Sequence, residues 1–102
     1  MEYLLSFGLT NEDLETIKTH VPDDVYSELT LFKNIVIKNI EYLRDFGVEN
    51  FAQVVIKYPE IFLRDEGSFR NVFSKFDRED LINKCKKNVA VIKKMVEFVD
   101  NN

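Results

Sequence analysis

Lys84, Lys86, Lys87, Lys93 and Lys94 all fall between positions 81 and 96, with no acid among them. Such a run reads either as an ordinary solvated helix face or as a phosphate-contacting surface, whose binding would be weak and salt-sensitive. Arg70, Lys75 and Arg78 extend the same candidate surface toward the middle of the chain. The opposite pole lies at the front. Residues 1–30 hold seven acids (Glu2, Glu12, Asp13, Glu15, Asp23, Asp24 and Glu28) against one base, Lys18. The formal charge of −4 at pH 7 averages over this polarity and hides it.

Other reactive side chains are sparse. His20 stands alone near the end of a helical pattern, and no acid or nucleophile in the sequence is spaced to work with it. Cys85 falls at an apolar helix position and reads as a small core residue rather than a thiol nucleophile. One His and one Cys exclude a Cys/His zinc cluster, and a single cysteine cannot form an internal disulfide, which fits a reducing compartment. Glu12-Asp13 and Asp23-Asp24 fall at helix starts, where acids interact favourably with the helix dipole, so they read as structural rather than metal-binding. No catalytic residue, cofactor or metal is expected, and neither is enzyme activity.

The elements that must position the lysines are helical. With 102 residues, 45% hydrophobic, 31% charged, three Gly and two Pro, the composition is that of one globular domain. No apolar run reaches the length of a membrane span, and Met1-Glu2-Tyr3 lacks the basic start of a signal peptide. The expectation is a soluble intracellular protein, cytoplasmic, with no membrane partner. Val25, Leu29, Phe32, Val36, Ile40 and Leu43 recur at three and four residues, which predicts one long helix ending at Phe46, with Gly47 as a left-handed cap. Tyr3-Leu4-Leu5-Ser6-Phe7 ends the same way at Gly8, and Thr10 or Asn11 then caps a helix through Leu14, Ile17 and Val21. Pro22 ends that helix or opens the next one.

From Asn50 a short helix turns Phe51, Val54, Val55 and Tyr58 inward and closes at Pro59, before the apolar turn Ile61-Phe62-Leu63. Residues 64–68 read as a loop, with Ser68 capping a helix through Phe69, Val72, Phe73 and Phe76. Asp77 caps a last helix that buries Leu81, Ile82, Cys85, Val89, Ile92, Met95, Val96 and Val99. On that helix Lys87 and Lys94 lie opposite the apolar face, and Lys84, Lys86 and Lys93 flank it. No segment reads as a strand. The nine Phe and four Tyr follow helix periodicity, so most belong to the core.

The chain repeats itself. Tyr3-Leu4-x-x-Phe7-Gly8-Leu9 superposes on Tyr42-Leu43-x-x-Phe46-Gly47-Val48, and Leu14, Ile17, Val21, Pro22 and Val25 then fall on Phe51, Val54, Tyr58, Pro59 and Phe62. A degenerate third copy places Phe76, Leu81, Cys85 and Val89 over Phe7, Leu14, Lys18 and Pro22, without the Gly or the Pro. Loss of the signature at one end is common in capping repeats. The units span 3–41, 42–75 and 76–100 of a single domain, 1–102. The unit is an apolar helix, Leu-x-x-Phe-Gly-Val, a short helix, Tyr-Pro, an apolar turn and a helix. It resembles the repeat of the mitochondrial transcription termination factor (mTERF) family, most closely over Ile40–Val48 leading to Val55–Phe62.

That resemblance implies an all-α array of about three helix-turn-helix units, right- or left-handed, with a C-terminal capping helix. It implies a short 3₁₀ turn after each proline, and a basic face that binds nucleic acid. The expected function is therefore a non-catalytic binding module, nucleic-acid-binding or transcription-related, that uses the C-terminal lysine stripe. The alternative is a protein-interaction adaptor or a small helical homodimer, using the acidic N-terminal third or an exposed aromatic patch.

Overall fold

A computed structural model describes residues 1–101. The regular elements among these residues are all helices, with no strand. An N-terminal 3₁₀ helix (Glu2–Phe7) leads to α1 (Asn11–His20), α2 (Asp23–Leu31), α3 (Lys33–Phe46) and α4 (Phe51–Lys57). A 3₁₀ turn (Pro59–Leu63) follows, then α5 (Glu66–Ser74), α6 (Arg78–Lys87) and α7 (Ala90–Asp100).

Local chemistry explains most of these boundaries. Gly8 and Gly47 end their helices at φ 91° and 116°, a conformation open to glycine because it lacks Cβ. Thr10 opens α1 with a reciprocal capping box: Asp13 N–H donates to Thr10 Oγ1 (3.1 Å), and Thr10 N–H donates to Asp13 Oδ2 (2.9 Å). Asp77 caps α6 by accepting from Asp80 N–H at 3.0 Å.

Three boundaries differ from the sequence expectation. The helix expected across residues 25–46 is two helices, broken at Phe32 (φ −102°, ψ 36°). The apolar stripe does not register the break, because Leu29 and Val36 on either side of it both reach the core. The last helix is also two helices. Asn88 adopts an extended conformation, its N–H donates to Lys84 O, and its Oδ1 accepts from Ala90 N–H at 3.0 Å. This local bond competes with helix continuation and turns the chain into α7. Finally, α5 is capped by Asp65 and not by Ser68. Asp65 Oδ1 accepts from Ser68 N–H (2.8 Å), while the Ser68 hydroxyl accepts from Arg64 Nε at 3.1 Å.

Around α3 lie α2, α4, α5 and the 3₁₀ turn. Its buried residues are Val36, Asn39, Ile40 and Leu43. Aromatic rings fill the space between α3 and α5. Phe69 lies 4.9 Å from Phe73 and 5.3 Å from Phe62, and Tyr42 and Phe46 close the cluster from α3. Helix α7 packs on α5 and α6 and buries Ile92 and Met95. The radius of gyration, 12.9 Å, matches the roughly 13 Å of a globule of this length, so the helices share one core instead of trailing out as an extended array.

One polar side chain sits inside this core. Asn39 is 1% exposed, and its Nδ2 donates to the carbonyls of Phe62 (2.9 Å) and Arg64 (2.7 Å). Apolar periodicity gave no reason to expect it. Replacing Asn39 with Ala removes the donor from two carbonyls and opens a small void. At about 1–3 kcal/mol per stranded group, the expected loss for two groups is about 2–6 kcal/mol. A urea titration should show the midpoint falling with the slope unchanged, and an unshifted midpoint would refute the clamp.

The two glycines should respond unequally to Ala. Both pay the left-handed penalty of about 1–2 kcal/mol. A Cβ at Gly8 meets open space, whereas one at Gly47 falls 2.7 Å from Ile82 Cδ1 on α6. Gly47→Ala should therefore lower the melting temperature more than Gly8→Ala, and equal effects would rule out the α3–α6 contact as the cause.

Candidate nucleic-acid interface

The break at Asn88 rearranges the expected lysine stripe. Helices α6 and α7 pack side by side, and Lys84, Lys87 and Lys94 line one shallow hollow of about 260 Å³, together with Asn88, Ala90 and Val91. No acid lines it. Lys84 and Lys87 come from the last turn of α6, where cations also interact favourably with the helix dipole. Lys84 Nζ lies 2.9 Å from Asp80 Oδ2, one turn back on the same helix, in an exposed pair that is easily exchanged for another anion.

The other candidates do not join this hollow. Lys93 lines a separate depression with Tyr58, Glu60, Arg64, Glu97 and Asp100, where three carboxylates offset the bases. Lys86 and Lys75 are exposed outside the hollow. The Arg78 guanidinium lies 5.5 Å above the Phe46 ring, and its Nε donates to Phe46 O at 2.6 Å, so it closes the C-terminus of α3. Arg70 stacks over Tyr42 at 5.2 Å, on a surface shared with Lys38, Glu41, Asp45 and Glu66. Both arginines are held by aromatic partners far away in sequence, a pairing that spacing alone does not reveal.

Residues considered for other chemistry stay apart. His20 is exposed at the C-terminal end of α1. Cys85 is fully buried, and burial pushes its thiol up to about 11, which keeps it protonated at neutral pH. Asn50 Nδ2 donates to Cys85 O (2.8 Å) and ties the start of α4 to α6. Among the described residues, no three His, Cys, Asp or Glu side chains are grouped to hold a metal ion. No helix of the described residues is long and apolar enough to cross a membrane.

Compared with known proteins, the chain matches no family model, no curated protein and no solved structure.

The orientation of α7, and with it the place of Lys94, is secured at the far end by Arg64. Its Nη1 and Nη2 donate to Asp100 Oδ2 (3.0 Å) and Oδ1 (2.9 Å) in a bidentate pair. The hydrogen bond from Arg64 holds the Asp100 carboxyl below its ordinary value and holds the guanidinium above its own. A lowered carboxyl contributes stability that is fully present above the ordinary value of about 3.9 and is lost as pH falls through the lowered one. Asp100→Asn should therefore melt below wild type at pH 7, and the gap should close as the pH is taken down toward about 2. A gap of constant size across that range would mean that charge is not its source.

Proposed function

We propose that the chain is a non-catalytic, intracellular binding module built from mTERF-like helical repeats, and that its ligand is nucleic acid held through the phosphate backbone. The observation that carries this reading is the convergence of Lys84, Lys87 and Lys94, from two helices, on one acid-free hollow. Three lysines lining one concave surface suit consecutive phosphates better than a single lysine, and Lys84 would exchange its exposed Asp80 partner for a phosphate. Lysine contacts to phosphate carry no sequence information, so binding is expected to be weak and tolerant of sequence.

The repeat reading is supported by the punctuation. Gly8 and Gly47 both end helices with positive φ. In the repeat register Pro22, Pro59 and Val89 are equivalent, and each stands where one helical segment gives way to the next. After Pro59 the chain makes the 3₁₀ turn that the resemblance implies, whereas Pro22 leads into α2. The buried, protonated Cys85 and the isolated His20 favour a binding role over a catalytic one.

Fluorescence anisotropy with labelled single-stranded DNA, duplex DNA and RNA tests the proposal. Three phosphate contacts on duplex DNA give a log–log salt slope of about −2.7, so affinity should fall about 40-fold between about 50 and 200 mM salt. Lys87→Glu combined with Lys94→Glu should abolish binding and leave the fold unchanged by circular dichroism. Absence of binding at the lower salt would overturn the reading.

A further inference from the structure

Four large apolar side chains are exposed among the described residues: Leu5, Leu31, Phe32 and Phe98. Leu31 (75% exposed) and Phe32 (50%) are adjacent at the α2–α3 corner and project as one apolar knob. Phe98 (57%) borders a groove of about 250 Å³, whose apolar lining is Phe76, Leu81, Val91, Met95 and Phe98. Phe76 and Phe98 meet edge-to-face there, with centroids 6.1 Å apart and planes at 65°. The knob and the groove lie on different parts of the chain. The knob stands on α2 and α3, and the groove is formed by α6, α7 and the residues just before them.

We propose that a second copy of this chain docks head-to-tail, with Leu31 and Phe32 of one copy seated in the Phe76–Phe98 groove of the next. Charge supports this occupant. The knob ends α2, whose charged residues Asp23, Asp24 and Glu28 are all acidic, and the groove holds Lys94 together with the Lys84–Asp80 pair and Asp77, so the arrangement of charges and not their sum matches the two surfaces. Both surfaces are also locally dipolar. The groove carries Asp77 and Asp80 at the start of α6, and Lys84 and Lys94 beyond them. The knob carries Glu28 one helical turn before Phe32, and Lys33 just after it. An orientation that sets Glu28 toward Lys94 and Lys33 toward Asp77 pairs opposite charges at both ends, whereas the reverse orientation opposes like charges. A third aromatic ring added to the Phe76–Phe98 pair contributes edge and offset contacts beyond simple burial. The contact is heterologous, because the two surfaces differ, so it can propagate from copy to copy.

This inference goes beyond nucleic-acid binding and does not depend on it. The two surfaces share Lys84, Val91 and Lys94, but Lys87 lines only the lysine hollow, and Phe32 belongs only to the knob. Lys87→Glu should therefore weaken nucleic-acid binding and leave self-association intact, and Phe32→Asp should abolish self-association without weakening nucleic-acid binding.

Sedimentation velocity of the full chain provides the test, at loadings from about 5 to about 500 µM, a range suited to a small interface. Wild type should show a sedimentation coefficient that rises with concentration. Phe32→Asp and Phe98→Asp, both at exposed positions and checked for helical content, should each sediment as monomers. Mixed in equal amounts, the two variants retain one intact groove and one intact knob, on different copies. They should form a 1:1 dimer that grows no further. Three results would each overturn the proposal: a monomeric wild type across the range, association retained by either variant alone, or a mixture that stays monomeric.

Discussion

A buried amide on the central helix holds this fold together. Helix α3 runs through the molecule with an apolar face, and at its middle Asn39 turns a carboxamide into the core toward the Pro59–Leu63 turn. A 3₁₀ turn next to a helix end leaves carbonyls that its own backbone does not satisfy, and burying such groups unpaired is costly. The two Nδ2 hydrogens of one Asn fit the two carbonyls of Phe62 and Arg64, and the turn is fixed on α3 as a result. Later elements inherit their placement from it. Arg64 follows the turn and reaches Asp100 at the end of α7, and Phe62 enters the aromatic cluster that seats α5. A side chain of similar shape without the NH₂ group, such as Leu, fills the space but strands both acceptors.

The parts of the fold legible in the sequence are those decided within a few residues. Glycine at a helix end, Thr three before Asp, and Asp three before Asp each solve a local hydrogen-bonding problem, so Gly8, Gly47, Thr10 and Asp77 could be read directly. The two missed breaks share a different cause. Periodicity records which residues face the core, and a single-residue turn preserves that record. Leu29 and Val36 stay in phase across Phe32, as Cys85 and Ile92 do across Asn88. Asn88 nevertheless carried a signal, since its short side chain bonds readily to the backbone two residues on. The repeat register also placed Val89 on the two prolines. Asn39 carried no such signal, because its partners lie 23 and 25 residues away.

The candidate site was legible as a charge count and not as a geometry. Eight bases between positions 70 and 94 look equivalent in sequence. In three dimensions Arg70 and Arg78 are committed to the faces of Tyr42 and Phe46, and Lys93 stands among carboxylates. The concave cluster of Lys84, Lys87 and Lys94 exists only because the chain reverses between them.

That reversal also shapes the apolar groove, so one short segment governs both surfaces of the C-terminal end. If α6 continued through Asn88 as a straight helix, Lys87 and Lys94 would stand about 10 Å apart along one axis. The apolar residues of α6 and α7 would then line a single narrow stripe, with no facing wall. Folding α7 back supplies that wall, with Leu81 on one side and Val91 and Met95 on the other. Lys84 and Lys94 lie on the border between hollow and groove, so an anion in the first would act on any occupant of the second. A docked acidic α2 and a phosphate backbone would draw on the same two ammonium groups. Occupancy of one surface should therefore lower affinity at the other by the same factor in both directions, as linkage requires.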